Sequence, residues 1–237
     1  MTQDEAFWRG KTAAMCRMLA VQDLIGMFGH VSIRIPGTDL VLLTPGAGAE
    51  KSAVKPADIF VFDIGGEILH HPGGDRPLQI PLEWRIHTRI HRDRPEVTCI
   101  AHLHAWHATI LGIARQEIVP VFMHGAFLRA GVPVWDNPRL VVSDAQAASL
   151  SAALGDKLAV QMRGHGVCVV GDSPEAAFFR CTFLEENAQK QFAAECLGGA
   201  VALSPAEAAD CEEGTVGPRL YRLLWEFYER KAAAAFG

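Results

Sequence analysis

Apolar positions recur along this chain with two periods, and each period marks a kind of element. Over residues 4–26, Trp8, Met15, Met18, Leu19 and Ile25 fall near helical spacing, which predicts an amphipathic helix stopped by Gly26 and Gly29. In FGHVSIRIPG (28–37) the period changes to two, with Val31, Ile33 and Ile35 alternating against Ser32 and Arg34, the pattern of a strand. Gly37-Thr38-Asp39 supplies a hairpin turn into a second strand over 40–44, and LLTPGAG (42–48) reads as a loop with its backbone amides on offer. Residues 59–63, Gly65-Gly66 and 67–70 predict another hairpin. PLEWRIHTRIHRDRP (81–95) opens with Pro81 and repeats Leu82, Ile86 and Ile90 at i, i+4 and i+8, which predicts a helix.

The turn-forming Arg94-Pro95 precedes a short apolar run, 97–101, that reads as a strand. A helix over 105–112 follows, and further strands are expected at 118–122, 132–134 and 167–170, with a helix over 145–154 before the last of them. Ser173 as cap, Pro174 at the first position and then Glu175 open a helix over 173–192. A final helix over 217–235 carries Leu220, Leu223, Leu224 and Phe227 on one face. Helices and strands are mixed, hairpins are frequent and no regular β-α-β rhythm appears. With no repeat or linker in view, the 237 residues are expected to form one α/β domain.

Composition narrows the function classes. The chain is 49% hydrophobic, ample for a core, and its net charge of −5 offers no basic field for nucleic acid. No apolar run is long enough to span a membrane, and MTQDEAFWRGK is acidic and amphipathic, unlike a secretory signal. The six cysteines form no C-x-x-C pair and lie mostly in apolar runs, as expected of buried free thiols in a reducing cytoplasm.

The candidate chemistry centres on AHLHAWH (101–107). On a strand, side chains at i and i+2 share a face, so His102 and His104 project side by side into one space. Upstream lies Glu83; downstream lies His165, flanked by Gly164 and Gly166, which let backbone approach closely. Three imidazoles and a carboxylate suit a divalent metal, Zn2+ or Mn2+, with room left for a small-molecule substrate. Glu83 equally suits the first turn of a helix, where the dipole favours an acid. His87 is expected to be structural and His91 to lie on the surface. His70-His71, beside Pro72-Gly73-Gly74, are expected to face solvent, and His124, before Gly125, to border a cleft. His107 is expected behind the ligands or facing substrate. Ser32 and Arg34 read either as a solvated strand face or as an anion site in which Arg34 offers a forked contact. Thr44-Pro45-Gly46 reads either as a plain turn or as an anchor for substrate oxygens.

Taken in order, Gly29-His30-Val31-Ser32, Thr44-Pro45-Gly46-Ala47, Pro81-Leu82-Glu83, His102-Leu103-His104 and Gly164-His165-Gly166 resemble the pattern of the class II aldolase/adducin family. The resemblance implies a three-layer α/β/α fold around a central, mainly antiparallel sheet, and a homotetramer with active sites between subunits. It implies a metal held by His102, His104 and His165, with Glu83 beside it as ligand or acid/base. Where the family's sugar-phosphate aldolases carry serines before the glutamate, this chain has Pro81 and Leu82, and the usual Asn is His30, so a phosphate pocket is not expected. FGHVSIR, PLEWRIH, MHGAF and FLEENAQKQF look more like the decarboxylase branch, whose members act on hydroxylated aromatic or pyridine carboxylates and ring-fission products. On that reading Glu83 and His124 are the catalytic candidates, and His30, Ser32, Arg34, Thr44 and Gly46 hold the substrate. An aldolase is the alternative, since both reactions break a C–C bond and leave electrons beside an oxygen-bearing carbon. A structural, adducin-like module without metal is the minor one.

Overall fold

Strands that alternate apolar side chains on both faces must be covered on both, and that requirement organises this chain. The computed structural model describes residues 3–73 and 78–236, so Gly74 lies outside the described residues. The strands are β1 (His30–Arg34), β2 (Leu40–Leu43), β3 (Phe60–Asp63), β4 (Ile68–His70), β5 (Cys99–Leu103), β6 (Val134–Trp135), β7 (Ala159–Met162) and β8 (Gly166–Gly171). They form one eight-stranded sheet in the order β4-β3-β2-β1-β5-β8-β7-β6. Every neighbouring pair is antiparallel except β6 with β7. The helices are α1 (Gln3–Ala20), α2 (Trp84–Asp93), α3 (Trp106–Ile113), α4 (Asp144–Leu154), α5 (Pro174–Cys196), α6 (Pro205–Thr215) and α7 (Pro218–Phe236).

The period of two decides which helix meets which face. Val31 and Ile33 of β1, Cys99, Ala101 and Leu103 of β5, and Val167 and Val169 of β8 face a core built with Met15, Met18 and Leu19 of α1 and Phe178, Phe179 and Leu184 of α5. The residues between them, Ile100, Cys168 and Val170, face a second core with Ile86 and Ile90 of α2 and Leu150 and Leu154 of α4. Helices therefore cover both faces, and the three-layer arrangement expected from the sequence is present. Among the described residues no helix is long and apolar enough to cross a membrane. Cys16, Cys99, Cys168 and Cys181 are buried free thiols, whereas Cys196 is exposed and Cys211 half-buried.

Several elements differ from expectation for identifiable reasons. The first helix stops at Ala20 rather than near Gly26, because Asp23 takes a left-handed φ of 56° and the Leu24 amide folds back onto the Leu19 carbonyl, dropping Leu24 and Ile25 into the core. Residues 118–122 are not a strand. Their backbone is held instead by amide side chains of α5: Asn187 accepts from the Val121 amide at 2.9 Å and donates to the Val119 carbonyl at 2.8 Å. Gln191 accepts from the Val119 amide at 3.0 Å and donates to the Glu117 carbonyl at 2.7 Å. Two side-chain amides thus supply the bonds a neighbouring strand would give. The strand expected at 132–134 is the two-residue β6, and β7, α6 and the 3₁₀ turn Met123–Ala130 were not foreseen.

Asn187 is fully buried, and the Val119 and Val121 groups it serves lie on a half-buried segment. Asn187→Ala is expected to lower stability by about 1–3 kcal/mol, the cost of losing two part-buried hydrogen bonds to backbone groups. Equilibrium urea unfolding at fixed protein concentration measures it, and a change below about 1 kcal/mol would show that the side-chain ladder is dispensable.

Candidate metal centre

The pairing of strands assembles the site. His30 of β1 lies opposite His102 of β5, and His102 lies opposite Cys168 of β8, all on the α2 face of the sheet. His104 sits just past the end of β5, two residues on, and its Nε2 comes within 3.2 Å of His102 Nε2. His165 lies in the tight turn between β7 and β8, closed by its amide on the Met162 carbonyl at 3.0 Å, with Gly164 at φ +67°. Gly166 packs so closely on β5 that a Cβ there would collide with the Leu103 carbonyl oxygen and crowd the His104 ring. That absent side chain is what sets His165 beside His104.

Glu83 reaches the same point from the turn before α2. Pro81 cannot continue a strand, and the Trp84 amide closes onto its carbonyl at 3.1 Å, so helix begins at Trp84 and Glu83 stands at its N-terminal cap rather than inside it. Its Oε1 accepts the Val141 amide at 2.8 Å, and its Oε2 lies 3.4 Å from both His102 Nε2 and His165 Nε2. One ligand atom from each of Glu83, His102, His104 and His165 falls within 4.8 Å of the others.

These residues fit a divalent cation. His102 Nδ1 donates to the Val167 carbonyl at 3.2 Å, which leaves its Nε2 as a bare lone pair facing the cluster. Both ring nitrogens of His165 are buried with no hydrogen-bond partner among the described residues, an arrangement that costs free energy unless something else binds there. Burial, and then His102 and His165 nearby, push the His104 imidazole down to about 4, so it is neutral, the form that ligates. Burial alone would raise Glu83; the closeness of His102 and His165 outweighs it and holds the carboxyl well below the usual range. One carboxylate and three imidazoles form a donor set suited to Zn2+ or Mn2+.

The remaining sequence-derived site residues divide sharply. His30 is buried beside the cluster, its ring centroid 5.0 Å from that of His102. Ser32 is fully buried, and its Oγ meets His87 Nδ1 at 2.7 Å and His91 Nε2 at 2.9 Å; it lies on neither a solvated face nor an open anion site. Arg34 sits at the far end of β1, where its guanidinium bonds the Thr38 carbonyl at 3.0 Å and the Asp39 carboxylate at 2.9 Å, so its fork closes the hairpin. Thr44 is fully buried and its Oγ1 accepts the Val31 amide at 2.9 Å. The Gly46 amide is taken by the Gln79 carbonyl at 2.8 Å, and a Cβ at Gly46 would run into the backbone of Ile80 and Pro81. This loop is therefore a tie between β2 and the approach to α2, without a free amide at Gly46. His124 is half-buried, stacks on Phe183 at 4.6 Å, and shares no contact with the cluster among the described residues.

Other functional neighbours were not legible in advance. His91, expected on the surface, is fully buried, because it faces β1 from the same side of α2 as His87. His107 donates to Glu185, whose carboxylate also accepts the amides of His107 and Ala108 and so caps α3 from α5. Lys51 is buried and its ammonium bonds the carbonyls of Pro45 and Gly46, holding the loop. The helix pairing His87 with His91 at i and i+4 was a visible signal; the partners Val141, Glu185 and Lys51 had none.

His104→Ala is expected to bind far less than one metal per chain after reconstitution with Zn2+ or Mn2+, by elemental analysis. Gly166→Ala, which removes no ligand, is expected to lose metal as well, because the β5–β8 approach must open. Full occupancy in either variant would overturn the geometry given to the site.

Comparison with known proteins agrees with this architecture. Residues 11–192 match the class II aldolase and adducin N-terminal domain. The chain is 34% identical over 209 residues to the 3,4-dihydroxyphthalate decarboxylase of Terrabacter sp. (strain DBF63), covering 84% of this chain and 86% of that one. An aldolase II superfamily protein from Pseudomonas syringae superposes with a TM-score of 0.86 at 25% identity, over 99% of this chain and 95% of that one. An L-fuculose 1-phosphate aldolase from Glaciozyma antarctica PI12 shares the fold, with a TM-score of 0.83 at 19% identity over 98% and 90%. With its mainly antiparallel sheet covered on both faces and its histidine–glutamate cluster where β5, β8 and the start of α2 meet, this chain belongs to the class II aldolase and adducin family.

Proposed function

We propose that this protein is a metal-dependent decarboxylase of a hydroxylated aromatic or pyridine carboxylate. The observation that carries the reading is the convergence of Glu83, His102, His104 and His165, with Leu82 and Trp106 near them in sequence and Phe28 against the His104 ring. Leu82, next to Glu83, is exposed, as is Trp106, two residues beyond His104. Phe28 is half-exposed and stacks on the His104 ring at 5.9 Å. A flat ring suits such walls, whereas Pro81 and Leu82 offer no side-chain donor to a phosphate. The decarboxylase similarity supports the same reading. The apolar rim is also where a neighbouring copy would close the site in a homotetramer.

A divalent cation in this cluster supplies Lewis-acid stabilisation of the negative charge that develops on a substrate oxygen. The protein's own part is proton handling and orientation. Glu83 Oε1 is held by the Val141 amide, so Oε2 alone is free to ligate or to move a proton. Kept ionised, Oε2 can take a proton from a substrate hydroxyl and return it to the ring carbon that loses CO2. The buried setting on the α2 face limits water near that carbon.

Metal-reconstituted protein supplied with 3,4-dihydroxyphthalate is expected to release CO2, and with L-fuculose 1-phosphate to release little aldehyde. Faster cleavage of the sugar phosphate would replace this reading with an aldolase; no turnover of either, with metal bound, would favour a structural module. Glu83→Gln is expected to remain folded and to lose roughly two to four orders of magnitude in kcat, the size of an acid–base contribution. Unchanged metal content in that variant assigns Glu83 to proton transfer, and lost metal assigns it as ligand. Unchanged activity and metal together would remove it from the chemistry.

A further inference from the structure

A line of buried polar groups runs from the core to the metal centre: His91, Ser32, His87, His30. Its direction can be derived from its inner end. His91 Nδ1 lies 3.1 Å from the Val97 carbonyl, which can only accept, so Nδ1 carries a proton. His91 is fully buried, and no carboxylate among the described residues is bonded to it. Burial holds its imidazole down to about 4, and the Arg34 guanidinium acts in the same sense, so His91 is neutral at ordinary pH. His91 Nε2 is then bare and accepts the Ser32 hydroxyl proton across 2.9 Å. Ser32 has no second proton, so its Oγ accepts from His87 Nδ1 across 2.7 Å. His87 is fully buried too, and its bare Nε2 accepts from His30 Nδ1 across 2.6 Å. His30 is left with Nδ1–H and a bare Nε2.

We propose that Ser32, His87 and His91 are positioning residues that lock His30 in its Nδ1–H form, so that its bare Nε2 accepts a hydrogen bond from a substrate hydroxyl beside the metal centre. Which ring nitrogen is protonated is set by the bond the other one makes, and here that bond is fixed three residues deep. The consequence is specificity. A nitrogen lone pair repels a carboxylate or phosphate oxygen and favours a donor, so His30 selects the hydroxyl of the substrate rather than its carboxylate. The location of the substrate rests on the decarboxylase reading above; the locked form of His30 does not.

The test begins with metal-free protein labelled with 15N-histidine, read by long-range proton–nitrogen correlation at neutral pH. His30, His87 and His91 are each expected as Nδ1–H. In Ser32→Ala, His91 keeps its proton on Nδ1 because Val97 still accepts it, while His30 and His87 gain Nε2–H populations. His91→Leu frees the Ser32 hydroxyl to turn toward His87 and is expected to release His30 in the same way, which covers a Ser32→Ala protein that does not fold. Nε2–H at His30 in the unaltered protein overturns the proposal, as does an unaltered His30 in whichever variant folds. The second arm uses Zn2+-loaded protein with 1,2-dihydroxybenzene and its dimethyl ether as probes. The preference for the free hydroxyls is expected to fall about fivefold in the variant, the worth of one hydrogen bond. An unchanged preference overturns the acceptor role even where the tautomers are as expected. Because the first arm needs neither metal nor substrate, it stands if the decarboxylase reading fails.

Discussion

Everything at the site depends on β5 being gripped from both sides. β1 fixes where His30 stands relative to His102, and β8 fixes where the turn carrying His165 can close. A slip of one residue on either side would turn the ligating face into the opposite core, where Ala101 and Leu103 now pack against α1, α3 and α5. The same alternation that buries aliphatic side chains on one face therefore delivers imidazoles to the other. The candidate metal site and the fold share a single register.

The helix layer over that face contributes in a different way. Ile86 and Ile90 anchor α2 in the apolar core, and the histidines between and beyond them, His87 and His91, turn toward the sheet. Polar groups so deep are tolerated because both ring nitrogens of His91 and of His87 have partners: the Val97 carbonyl, Ser32 and His30. Glu83, at the mouth of this helix, is fixed by an amide from the segment leading into α4. The acid is thus oriented by main chain rather than by a flexible side chain, which narrows its freedom to a single oxygen.

The clustering of the histidines was legible from two local patterns: His-x-His on a strand, and a histidine between glycines at a hairpin. The helices and strands were legible from periods of helical spacing and of two, and their layering from the family resemblance. What stayed hidden was the environment of single polar residues. Ser32 and Arg34 alternate identically along β1, yet one is sealed against α2 and the other closes a hairpin, since only the pairing register and the position of α2 distinguish them. His91 carries the same ambiguity: on a helix it has either a wet or a dry side, and the apolar stripe nearby is too broad to decide. Residues 118–122 have strand-like composition, but no neighbouring strand is available, and nothing in that segment announces that glutamine and asparagine from α5 will take its place.

That substitution has a consequence for how the chain becomes ordered. The segment's bonds come from residues 66 to 74 positions later in the chain, so it cannot acquire them until α5 has docked on the sheet. Its amides should resist solvent exchange only as well as that docking holds, even though they lie beside a well-packed core. An extended stretch bonded by side chains also presents no regular row of amides and carbonyls along which another chain could zip. The two buried amide side chains thus seal a strand-like edge while making its order conditional on the completion of the helical layer.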